Sequence, residues 1–198
     1  MLMSFEVTHL YTALAILAVI LIGLWAIKRS FSYLLFCAIF GIYLIGVASV
    51  VIFPIHIPDG NNGHALHLQL NHIPFYFGEC DFLFLCLRNI YENILLTVPF
   101  GFGISFVARV TSRHILWLAF AVGSFFEFLQ LVLALMVRSP FRVIDINDVL
   151  LNAIGVLIGY RLFIMFGWIY LHITRKFEIK RKHVFAYIYN VVREPFDC

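Results

Sequence analysis

The sequence predicts an all-α fold, a polytopic membrane helix bundle with about five transmembrane helices. Of its 198 residues, 63% are hydrophobic and 13% charged, whereas soluble domains run near about 45–50% apolar and about 25% charged. The apolar residues are gathered into five runs close to the roughly 20 residues that cross a hydrocarbon core. Lysine and arginine fall mainly in alternate connections between those runs, as they do in multi-pass proteins. A balance of 14 Lys+Arg against 11 Asp+Glu gives a net charge of only +3, which excludes a nucleic-acid-binding domain.

The five runs lie at 11–27, 31–53, 94–110, 115–137 and 149–173. The apolar stretch 82–87 is too short to span and is expected in the interface or beneath a loop. The first run has Glu6 and His9 ahead of it rather than a basic segment, and no small-x-small site precedes Lys28. It therefore reads as a retained helix, not a signal peptide. In the second, Gly41, Gly46 and Ser49 would let a neighbouring helix approach closely.

Sidedness follows from the basic residues. Lys28 and Arg29 follow the first run, Arg109 and Arg113 join the third and fourth, and Arg175, Lys176, Lys180, Arg181 and Lys182 follow the fifth. All of these fall at one face, against Arg88, Arg138 and Arg142 at the other. The expectation is an N-terminus outside, a C-terminus in the cytoplasm and a basic cytoplasmic tail over 174–198. Residues 1–30 form an additional N-terminal transmembrane helix, and 31–173 the main membrane domain.

Polar residues inside the later runs carry the functional signal. In the third, Asn93, Thr97, Gly101 and Ser105 share one helical stripe, and Pro99 predicts a kink near Leu95. In the fourth, Glu127 and Gln130 lie at i and i+3, with Gly123 and Ala134 on the same face. A carboxylate at mid-membrane costs at least about 2.5–3.5 kcal/mol, so Glu127 must face the bundle, be protonated or meet a cation. Arg161 is a candidate partner, although snorkelling to the interface is the stronger expectation. At the start of the fifth, Asp145, Asp148 and Asn152 share a face that Gly155 and Gly159 continue as a packing surface.

If the three stripes converge, Asn93, Glu127, Gln130, Asp145, Asp148 and Asn152 line an outward-opening pocket rimmed by Arg88, Arg138 and Arg142. Those arginines would neutralise the acids or grip a phosphate or carboxylate headgroup. His64 and His67 have helical spacing but sit in a turn-rich loop, so solvated histidines are favoured over a metal site. Cys80 and Cys86 could pair only if that outer loop brings them together. No metal is assigned, and the residues imply no particular cofactor.

In order and spacing, Tyr43 to Pro54, Asn71-His72-Ile73-Pro74-Phe75, Asn93-Ile94-Leu95-Leu96-Thr97-Val98-Pro99-Phe100-Gly101, Glu127-Phe128-Leu129-Gln130, and Arg142 through Asp145, Asp148, Asn152, Gly155 and Gly159 resemble the VanZ-like family. The resemblance covers about 43–160. The N-terminal helix looks like an addition to the shorter family core, and Thr97 stands where a bulky apolar residue is common.

The resemblance implies an integral membrane protein of the bacterial cell envelope. The family's founding member is associated with low-level teicoplanin resistance, and the family supplies no established catalytic residue. The first functional expectation is therefore a protein whose pocket binds a lipid headgroup or envelope ligand, such as an envelope lipid carrier or a lipoglycopeptide. The alternative is a membrane enzyme on a lipid-linked or polyprenyl-phosphate substrate, with Glu127, Asp145 and Asp148 as metal ligands or as general acid and base. A proton-coupled transporter ranks third, because no inverted repeat is visible. Membrane lipids are the expected partners, nucleic acid is not, and self-association into a homo-oligomer is left open.

Overall fold

The computed structural model describes residues 2–3, 5–53, 55–56, 70–76, 83–137, 143–177 and 182–196, with backbone alone at 2–3, 56 and 83–86. Arg138, Arg142, His64, His67 and Cys80 lie outside the described residues, as does the side chain of Cys86. Five helices are long and apolar enough to cross a membrane. They are α1 (Val7–Ala26), α2 (Phe31–Val51), α3 (Leu83–Val107), α4 (Ile115–Val137) and α5 (Ile146–Lys176). A shorter α6 (Val184–Arg193) runs into a 3-10 turn at Glu194–Phe196.

Helix lengths depart from the apolar runs for physical reasons. Helix α3 begins at Leu83, so the stretch expected under a loop supplies its first turns. The polar segment Arg88 to Asn93 does not interrupt it, because such residues are ordinary helix formers once lipid is not their neighbour. Helix α5 starts earlier than the run, at Ile146, where the Asp145 side chain caps it by accepting from the Asn147 backbone N–H at 2.8 Å. Helix α2 has a similar start, with Ser30 Oγ accepting from the Tyr33 N–H at 3.3 Å. Such caps satisfy donors that a first turn leaves open.

Helices α3, α4 and α5 form the compact part of the bundle. Small residues let their backbones meet: a Cβ on Gly101 would strike the Val156 carbonyl, one on Gly155 the Ile94 carbonyl and Thr97 Oγ1, and one on Gly159 the Val98 carbonyl. The expected α3 stripe and the Gly155/Gly159 face are thus the two sides of one contact. Thr97, fully buried, donates across it to the Asn152 carbonyl at 2.8 Å. Gly123 of α4 sits just as tightly on the Val149 backbone.

Below this contact, Phe106 stacks on Phe36 with ring centroids 4.6 Å apart and meets Phe163 edge-on at 5.3 Å. Helix α3 runs unbroken through Pro99, and Tyr43 of α2 donates its hydroxyl to the Leu96 carbonyl at 2.6 Å, in the turn ahead of the proline.

Helix α1 buries none of its residues and leans on α2, where Leu17 fills the space over Gly41. Gly46, expected to allow close packing, has open space around it, and its carbonyl accepts from Ser49 Oγ at 2.7 Å. Strand β1 (Leu2–Met3) pairs antiparallel with β2 (Ile55–His56), tying the beginning of the chain to the end of α2. Strand β3 (Leu70–Asn71) pairs in parallel with β4 (Ile144–Asp145), matching Asn71 to Asp145.

The segment read as a basic tail holds α6, which folds back on the bundle. Val192 is fully buried against Gly167, Tyr170 donates its hydroxyl to the Phe185 carbonyl at 3.0 Å, and the Tyr187 hydroxyl donates to the Phe106 carbonyl.

Candidate functional site

The polar residues gather at the Asp145 end of the bundle, in two neighbouring groups. In the first, Glu127 is buried on α4, and its Oε2 accepts from the Asp145 backbone N–H at 2.9 Å. The Asp145 side chain holds the Asn147 N–H and also accepts from Asn71 Nδ2 at 3.0 Å. Asn147, 1% exposed, accepts from the Phe75 N–H at 2.6 Å and donates to the Tyr76 carbonyl at 2.8 Å.

Asn71 donates to that same Tyr76 carbonyl at 2.8 Å and accepts from the Ile73 N–H. Phe75 has φ of +63°, a region that costs a residue with a side chain. The hydrogen bonds from Asn147 hold it there. This group is a clamp that fixes the 70–76 turn on the start of α5.

The second group lines a cavity of about 500 Å³ between α2, α3, α4 and α5, a size typical of small-molecule sites. Asp148 Oδ1 accepts from Asn93 Nδ2 at 2.9 Å and from Asn89 Nδ2 at 3.3 Å. Gln130, 6% exposed, lines the cavity from α4. At the rim Arg88 Nε and Glu92 Oε1 form an ion pair at 2.7 Å. Val50, Val51, Leu95, Leu96 and Phe126 form an apolar wall beside these polar groups.

Asn152 sits at the bottom, 2% exposed. Its Nδ2 donates to the Asp148 carbonyl at 2.8 Å, an acceptor-only group, so the amide is oriented with Oδ1 away from it. That Oδ1 is buried and has no hydrogen-bond partner. Leaving such an acceptor unmade costs on the order of 1–3 kcal/mol.

The six residues expected to line the pocket are all described, and they fall into the two neighbouring groups. Asn93, Gln130, Asp148 and Asn152 share the cavity; Glu127 and Asp145 belong to the clamp; Arg142 lies outside the described residues. Asp145 leaves the Asp148/Asn152 face because it is the cap of α5 rather than part of its first turn. Both Glu127 and Asp145 accept backbone N–H groups, an arrangement suited to holding chain segments together. Of the three carboxylates, Asp148 lines the cavity, while Glu127 and Asp145 hold backbone N–H groups beside it.

Arg161 lies about four and a half turns further along α5 than Asp145, in an apolar groove with Ile154, Leu157 and Met165, away from Glu127. Among the described residues, no group of three His, Cys, Asp or Glu side chains could hold a metal ion.

Sequence reasoning missed Asn89, Glu92, Asn71 and Asn147. Asn89 and Glu92 were legible in principle, since Asn89 stands one turn before Asn93 on α3 and Glu92 one turn after Arg88. Asn71 stands in the loop motif that carries the family resemblance, where no role was assigned to it, and Asn147 works across a long loop, where spacing gives no signal.

Membrane-crossing helices packed through glycine faces, with a polar cavity at one end, define a multi-pass membrane bundle. A family profile described as VanZ/LLP1 matches residues 40–188, and the chain belongs to that family. The match begins within α2 and runs into α6, leaving α1 outside it. No curated protein and no solved structure matches the chain.

Proposed function

We propose that this VanZ-family membrane protein is a component of the bacterial cell envelope whose polar cavity faces outside and binds a lipid headgroup or lipoglycopeptide, contributing to teicoplanin resistance. Sidedness rests on Lys28, Arg29, Arg109, Arg113, Arg175 and Lys176, which follow or join spans at the end opposite Asp145 and would be retained in the cytoplasm.

The observation that carries the reading is the unpartnered, buried Asn152 Oδ1 at the bottom of the cavity. That atom asks for a ligand that brings a hydrogen-bond donor, as a sugar hydroxyl or an ammonium does. The apolar wall beside it suits a molecule with an attached hydrocarbon chain. Val50 and Leu95, 54% and 60% exposed, place part of that wall on the outside of the bundle.

The test is inhibitory concentration in a strain lacking the gene, complemented with wild type or with Asn152→Leu. Wild type should raise resistance to teicoplanin more than to vancomycin, and the variant should lose the gain at equal protein level. Unchanged inhibitory concentrations for both drugs on deleting the gene would count against the reading.

A further inference from the structure

A second cavity, of about 810 Å³, opens at the other end of the bundle, where the 108–114 connection between α3 and α4 faces α5 and the 3-10 turn at Glu194–Phe196. Its lining includes two guanidinium groups, Arg109 and Arg113, together with His114, Thr111 and Ser112. Ser112 Oγ and the Tyr160 hydroxyl lie 3.3 Å apart, and Thr111 Oγ1 and His114 Nδ1 lie 2.7 Å apart. Ser105 reaches the cavity from α3 with a buried Oγ that has no hydrogen-bond partner. Sidedness explains why Arg109 and Arg113 stand at this end; it does not require them to border a cavity with four hydroxyl groups.

One anion is already present. Glu194 lines the cavity, and its Oε1 lies 3.2 Å from Arg109 Nε. The two side chains are 50% and 88% exposed, and solvated pairs of this kind are weak. A phosphate group would compete with it, because guanidinium binds phosphate through paired hydrogen bonds, whereas Glu194 meets Arg109 through one Nε–Oε1 approach.

The cavity also lies at the right depth. The α3 span ends at Val107 and the α4 span begins at Ile115, so the loop between them stands where a bilayer places its headgroups.

We infer that this cavity is an anion site for a phosphate headgroup, built on Arg109 and Arg113, with Glu194 as a built-in competitor. The two sources of such a group are an acidic phospholipid of the adjoining leaflet and a free phosphate. The site does not depend on what the Asn152 cavity binds.

The test uses the full-length protein in two arms. In nanodiscs, wild type and variants are compared for retention of phosphatidylglycerol over phosphatidylcholine. In detergent, inorganic phosphate is titrated by calorimetry. Arg109→Ala with Arg113→Ala should weaken binding tenfold or more, while Glu194→Gln should tighten it about threefold, a gain that misfolding cannot produce. Arginine-dependent binding in the lipid arm alone identifies a lipid headgroup, and in the phosphate arm a free phosphate; either supports the site. Binding that ignores both arginines, or a Glu194→Gln protein no tighter than wild type, overturns it.

Discussion

The Glu127 carboxylate accepts the backbone N–H of Asp145 at 2.9 Å, so a charge-bearing residue in the middle of a membrane helix holds the start of the next one. A membrane offers no water to take over that N–H. The contact explains why an acid is carried in an otherwise apolar span, and it makes Glu127 a positioning residue. Glu127→Ala should lower stability by about 1–3 kcal/mol, the cost of a buried donor left unmade. Glu127→Gln, which retains an acceptor, should recover most of it. Thermal unfolding in detergent reads both; an alanine variant as stable as wild type would contradict the assignment.

Asn147 is the centre of the clamp on the 70–76 turn, accepting from the Phe75 N–H and donating to the Tyr76 carbonyl. Asn147→Ala removes both and leaves Phe75 at positive φ with less to hold it. The turn should open locally while the α3–α5 contact stays closed. Hydrogen exchange should then speed by about tenfold or more at 73–76, with little change in α3, since local opening is governed by local contacts.

The α3–α5 contact should tolerate no added side-chain atom at its glycines. Gly155→Ala and Gly159→Ala each place a Cβ against carbonyl oxygens of α3, and backbone cannot swing aside as a side chain can. Each should cost at least about 1–3 kcal/mol, the usual range for overpacking, whereas Gly46→Ala, with open space around it, should be neutral or slightly stabilising through helix propensity. Equal effects at all three positions would mean that the helices do not meet as described.

Apolar run length was enough to place five spans, because the bilayer sets one length for every crossing helix. The small-residue faces of α3 and α5 were legible for a similar reason: helical spacing puts Thr97, Gly101, Gly155 and Gly159 on single faces before any partner is known. Division of the polar residues between clamp and cavity was not legible. Asp145 and Asp148 have helical spacing, yet Asp145 is the cap that accepts from the Asn147 N–H, and bonds from Asn71 and to Glu127 draw it into the clamp. Those contacts join residues far apart in the chain. Helix α6 escaped because ten residues cannot span, and its basic flank at Lys180, Arg181 and Lys182 drew attention to charge.

The packing of α6 should be sensitive to alkali. Burial, reinforced by Cys37, Tyr33 and Glu194 nearby, pushes the Tyr187 phenol from its ordinary 10.0 up to about 12. The folded chain therefore holds this proton more tightly than the unfolded one. The stabilisation is complete below pH 10 and is lost as pH rises towards 12, when the hydroxyl that donates to the Phe106 carbonyl becomes an anion. Release of α6, followed by proteolysis after Lys176 or by exchange of its amides, should set in over that interval. In Tyr187→Phe the titration is absent, so the step between pH 10 and 12 should shrink and α6 should be looser at neutral pH.

Asn152 separates a binding role from a structural one more cleanly than any acidic residue of the site. Its backbone carbonyl, which receives Thr97, survives any substitution, and its Nδ2 bond goes to the carbonyl one turn back in its own helix. Leucine has the same number and branching of side-chain heavy atoms, although its methyl groups are bulkier, so Asn152→Leu removes a buried acceptor that lacks a protein partner and replaces it with an apolar group. Replacing a poorly satisfied polar group by an apolar one of similar shape is close to neutral or stabilising. Stability should change by no more than about 1 kcal/mol, in contrast to the loss expected for Glu127→Ala. Teicoplanin binding to the full-length protein in nanodiscs, read by calorimetry, should weaken tenfold or more if that atom accepts a ligand donor. A variant that binds as wild type does would remove Oδ1 from the site, and a variant that unfolds would show that the side chain serves the α3–α5 contact instead.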